Sequence, residues 1–213
     1  MYAYPDSAWK DRINMLGETG LGVPVKQAGW VRSLLSTLLA TGKGTSRPGL
    51  FQAPISDSDE PLEWSREQQA AFIITLWNDL RSVLADNGHQ WWIRSAFSSP
   101  EQSLTARYSI LNQDMGVRAV LAVANDIFFN NADLWRLNTW FPPLEPGLEL
   151  TNNLISAAIA SLEEAPFRPH ILELAHGLVR FDWRSADAPG VKERPRSPEA
   201  IRKRSYRGSG GYG

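Results

Sequence analysis

The sequence predicts an all-α fold, a single globular bundle of about six to eight helices with a long loop and a basic C-terminal tail. Three observations carry this. Apolar residues recur at helical spacing in successive windows of the chain. Residues that start helices and residues that stop them bracket those windows. No stretch of convincing length alternates with the period of two that a half-buried strand requires.

Each element follows from local chemistry. Asp6 or Ser7 is placed to cap a first helix with Trp9, Ile13 and Leu16 on one stripe, ended by Gly17, Gly20, Gly22 and Pro24. From about Lys26 to Thr41, Trp30, Val31, Leu34, Leu35, Leu38 and Leu39 give a wide apolar face, stopped by Gly42 and Gly44. Residues 42–63, with early Pro and Gly and the acidic Asp57, Asp59 and Glu60, read as a long irregular connection. Ser65 with Gln68 three residues on makes a capping box for a helix over 66–86, and Asn87–Gly88 supplies a left-handed stop.

Ser99, Pro100 and Gln102 mark a further helix start, running to about Leu111. Asp114 or Asn112 then caps a helix with Val117, Val120, Leu121, Ala124, Ile127 and Phe128 inward, up to the Asn130–Asn131 break. Pro142, Pro143 and Pro146 break regular structure over 141–148. Thr151 heads a helix with Leu154, Ile155, Ala158, Ile159 and Leu162 inward, and a last helix from about Pro169 to Phe181 turns Ile171, Leu174, Ala175 and Leu178 inward. The domain so built covers residues 1–183, and residues 184–213 form a flexible, Gly-ending tail.

Composition narrows the function classes. Of 213 residues, 43% are hydrophobic and 21% charged, a balance that suits a folded domain rather than a disordered or membrane protein. The absence of cysteine removes disulfides, thiolate metal ligands and Cys nucleophiles. The N-terminal stretch lacks the basic and apolar regions of a secretory signal, and no apolar run is long enough to span a bilayer, so a cytoplasmic location is expected. Nine tryptophans are many for this length and suit either a core or an interface.

Charge is segregated. The last 22 residues, "KERPRSPEAIRKRSYRGSGGYG", hold Lys192, Arg194, Arg196, Arg202, Lys203, Arg204 and Arg207 against Glu193 and Glu199, a balance of +5. The remaining 191 residues hold 15 basic and 21 acidic side chains, a balance of −6. Such a tail neutralises phosphates without regard to base sequence. In "HQWWIRSAF", adjacent Trp91 and Trp92 cannot share one side of a regular element, and Arg94 lies near enough to pair with an aromatic face. These three residues form a candidate second surface, of a kind seen in protein interfaces and single-strand platforms.

Signals for catalysis are weak. His170, Glu173 and His176 step by three along one helix and spread over about 120° of its circumference, which suits a solvated face better than a metal site. The HExxH spacing of zincins is absent. "GETGLG" at 17–22 has glycine density but no preceding strand. Asp79, Asp114, Asp126 and Asp133 read as caps or solvated carboxylates rather than an acid pair, and His89 as a surface residue. No catalytic residue, metal or cofactor is expected.

Two passages resemble a known family. "ARYSILNQDMGVRAVLAVANDIFF" (Ala106–Phe129) and the terminal "YRGSGGYG" resemble the helical region that follows the ParB-like core in DGQHR-domain proteins, over no more than about a fifth of the chain. The Asp-Gly-Gln-His-Arg motif itself is absent, so the resemblance transfers no site residue. It implies an accessory helical part of a DNA-modification or defence system. The expectation is a non-catalytic helical module that binds nucleic acid or a protein of a nucleic-acid-processing complex. The alternatives are a self-assembling subunit of a viral or phage particle, or a helical enzyme with a carboxylate/His site.

Overall fold

The computed structural model describes residues 2–16, 25–42, 48–52, 64–87, 109–130 and 155–160, together with 169, 171, 172, 175 and 176. These residues are mostly helical. Their regular elements are β1 (Ile13–Asn14), β2 (Val25–Lys26), α1 (Gln27–Leu35), α2 (Arg66–Asp86) and α3 (Asp114–Asn130), with short 3₁₀ turns at Leu50–Gln52 and Ile110–Asn112.

The longest of these, α2, starts where its capping box lies. The Gln68 N–H donates to Ser65 Oγ at 3.2 Å, and the Ser65 N–H donates to Gln68 Oε1 at 2.9 Å. Two backbone donors of the first turn are thus satisfied by side chains. At its other end the expected left-handed stop is not made by Asn87, whose φ is −85°. The Asn87 side chain instead donates Nδ2 to the Val83 carbonyl at 2.8 Å, which caps the last turn from an ordinary backbone conformation. Residues 71–77 are all buried, so α2 is enclosed on every side over nearly two turns.

The N-terminal stretch departs from the expected first helix. Three of its backbone bonds run from an N–H to the carbonyl three residues back, Ser7 to Tyr4, Lys10 to Ser7 and Arg12 to Trp9, while the Asp11 N–H reaches back to the Tyr2 carbonyl. Ser7 does act as a cap, its Oγ accepting from the Trp9 N–H at 3.1 Å. Asp11 then takes φ 55°, a left-handed conformation that ends helical propagation, and the chain passes into β1. β1 pairs in parallel with β2, Ile13 opposite Val25 and Asn14 opposite Lys26. Trp9 and Ile13 are buried as the stripe predicted, but Leu16, beyond the strand, is 79% exposed.

The next helix is shorter than predicted, and part of its predicted apolar face is exposed. α1 stops at Leu35, and the Ser33 carbonyl accepts the Thr37 hydroxyl at 2.6 Å and the Ser36 hydroxyl at 3.2 Å. The Thr37 N–H, which would continue the helix by bonding Ser33, goes to Leu34 instead. Hydroxyl competition for the carbonyl explains the early stop. The buried residues of α1 are Gly29, Trp30 and Ser33, whereas Val31 and Leu35 of the predicted apolar face are exposed. Leu38, past the helix, is fully buried.

This choice of face lets α1 come close to α3. A Cβ on Gly29 would collide with the carboxylate of Asp114, which therefore lies against the first turn of α1. That turn has no side-chain cap and no acidic residue of its own, so the negative charge of Asp114 sits where the helix dipole favours it. Asp114 is also the first residue of α3 rather than its cap. The residue before it, Gln113, is extended and accepts the Val117 N–H at its carbonyl.

Within the region read as a long irregular connection, residues 48–52 are anchored. The Gly49 N–H donates to Ala40 at 2.7 Å and the Phe51 N–H to Leu38 at 2.9 Å. Leu50 donates its N–H to Asn125 Oδ1 of α3 at 2.7 Å, and both Leu50 and Phe51 are buried. The end of the helix expected before Leu111 is a 3₁₀ turn after an extended Ser109, whose Oγ accepts the Leu111 N–H at 3.3 Å. The helical residues 155–160 bury Ile155 and Ala158, and Ile171 and Ala175 of the last predicted helix are helical and fully buried. The remainder of that connection, the start at Ser99, the break at 141–148 and the tail lie outside the described residues.

Gly116, in the first turn of α3, has no room for a side chain: a Cβ there would meet the Ile110 carbonyl, which is backbone and cannot swing away. Alanine would raise helix propensity by about 1 kcal/mol. Overpacking costs about 1–3 kcal/mol. Gly116→Ala is therefore expected to lower the urea midpoint, and a raised midpoint would show that the turn and α3 are not in contact.

Candidate interaction surfaces

Aromatic side chains surround α2. Trp9, Trp30 and Trp77, from the N-terminal turn, α1 and α2, meet with ring centroids 5.0, 5.2 and 6.0 Å apart and interplanar angles of 88°, 87° and 64°. Edge-to-face contact sets the positive rim of one ring against the negative face of the next, about 0.5–1.5 kcal/mol per pair beyond burial. A second group joins Phe51, Trp64 and Phe72 at 5.7–6.0 Å. These tryptophans are at most 4% exposed, so they are core and present no stacking platform to a ligand.

Polar side chains fasten the covering segments. Asn78 on α2 accepts the Ala8 N–H at its Oδ1 and donates Nδ2 to the Asp6 carbonyl, both at 2.8 Å. Asn125 on α3 holds residues 48–52 by one bond, its Oδ1 accepting the Leu50 N–H. The Tyr4 hydroxyl lies 3.0 Å from Ser156 Oγ, tying the N-terminal turn to the helical residues 155–160. Sequence reading passed over these asparagines. Their signal was there, since Asn within a helix gives up propensity and needs a reason.

The turn that carries Trp9 also brings Arg12 beside α2. Burial first, and then the positive charge of Arg81, lower the Arg12 pKa to about 10. Arg12 stays charged at neutral pH, and its charged form opposes folding because the unfolded chain holds that proton more tightly. By linkage this opposition is relieved as pH rises through about 10. Lys10 and Arg81 are exposed nearby in the chain elements involved, but so are Asp6 and Asp11, and Asp79 is buried and engaged in a polar contact. The signs are mixed, which does not make an anion site.

The residues singled out from sequence divide as follows. Trp91, Trp92 and Arg94, and Lys192, Arg194, Arg196, Arg202, Lys203, Arg204 and Arg207, lie outside the described residues, as do His89, Asp133, His170 and Glu173. His176 is exposed. Asp79 is buried, Asp114 is exposed beside Gly29, and Asp126 is part-buried and engaged. Among the described residues no group of three His, Asp or Glu is placed to hold a metal ion. Among them, too, no helix is long and apolar enough to cross a membrane.

No protein-family model matches the chain. No curated protein and no solved structure matches it either.

The Thr75 hydroxyl is buried on α2 without a hydrogen-bond partner among the described residues. An unsatisfied buried polar group costs about 1–3 kcal/mol, and valine keeps its shape. Thr75→Val should raise the urea midpoint; a loss would mean that the hydroxyl is bonded. Arg81→Gln should raise thermal stability by no more than about 1 kcal/mol, the scale of exposed charge pairs, by removing the repulsion on Arg12. Lowered stability would show that Arg81 holds the fold through contacts of its own.

Proposed function

We propose that this protein is a non-catalytic helical interaction module whose basic C-terminal segment binds nucleic acid, as an accessory part of a nucleic-acid-processing complex. The observation that carries the reading is the segregation of charge, +5 in the last 22 residues against −6 in the rest. A folded body with net negative charge repels a phosphate backbone, so affinity has to come from residues 192–207. Arginine and lysine there act by releasing counterions, which needs no base-edge readout and no fixed conformation.

Further support comes from the resemblance of Ala106–Phe129 and the terminal "YRGSGGYG" to the helical part of DGQHR-domain proteins, which implies a DNA-modification or defence setting. The aromatic groups around α2 are consumed by the core and leave little for a stacking site in the described body. Trp91, Trp92 and Arg94 are the candidates for a second contact.

Seven basic residues facing phosphates give an expected slope of log K against log salt of roughly −6 on duplex DNA. Fluorescence anisotropy with a labelled duplex between about 50 and 200 mM salt measures it. Replacing Arg202, Lys203 and Arg204 by alanine should make the slope about 3 units shallower, and removing 192–213 should abolish binding while circular dichroism of the body is unchanged. Binding that ignores salt, or that survives the deletion, rules the reading out.

A further inference from the structure

We draw no further inference here: the strongest candidate, the exposed apolar stripe of Ala28, Val31 and Leu35 along the outer face of α1, carries nothing because nothing in the structure shows what covers it.

Discussion

From Ala71 to Trp77 every residue of α2 is out of water, and a helix enclosed in this way must be wrapped by the rest of the chain. Its own sequence requires it: Phe72, Ile73, Ile74, Leu76 and Trp77 leave no polar face over that stretch. The wrapping comes from segments far apart in sequence, since Trp9 and Trp30 reach Trp77, Phe51 and Trp64 reach Phe72, and Tyr4 and Ile155 share a cluster with Ile74. Burying one tryptophan removes about 150–250 Å² from water, or roughly 4–6 kcal/mol as an upper estimate. The aromatic contacts around α2 therefore dominate what holds these segments in place.

Enclosure of a helix by irregular segments creates a hydrogen-bonding problem, because turns carry backbone groups that water no longer reaches. The structure answers it with amide side chains. Asn78 replaces water for the backbone N–H of Ala8, and Asn125 does so for that of Leu50. Where helices meet directly, small residues take over. Gly29 admits the Asp114 carboxylate to the uncapped turn of α1, and Gly116 admits the Ile110 carbonyl to the first turn of α3. Polar clamps serve the turns, and missing side chains serve the helix contacts.

These devices explain what was legible in the sequence. The bounds of α2 and α3 were readable because apolar spacing held over 21 and 17 residues, and at α2 the capping box agreed with it. Trp9, Ile13, Trp30 and Leu38 were correctly marked as core, but of these only Trp30 is helical as expected, since burial does not require a helix. At Asp11 a left-handed residue, and at Ser33 two competing hydroxyls, end helical structure through local geometry that apolar spacing does not record. The inward face of α1 was misjudged in part: Trp30 and Leu34 meet the core as expected, but Val31 and Leu35 are exposed while Gly29 and Ser33 are buried, because close approach to α3 selects for smallness. The candidate interaction residues were read from a different signal. Their signal is charge and composition, which needs no fold to be read.

The described residues are thus organised around one enclosed helix, and the nucleic-acid contact is proposed from the charge of residues 192–207. The central claim is that α2 is the last described element to lose its structure, because the N-terminal turn, α1 and the turn at Leu50–Gln52 set aromatic side chains against it. Residue-resolved amide hydrogen exchange tests this most directly. The account predicts that amides from Ala71 to Leu84 form the slowest set and exchange only with global unfolding, with those of α1 opening earlier. Exchange of α2 at the rate of α1, or protection centred elsewhere while α2 opens freely, would contradict it.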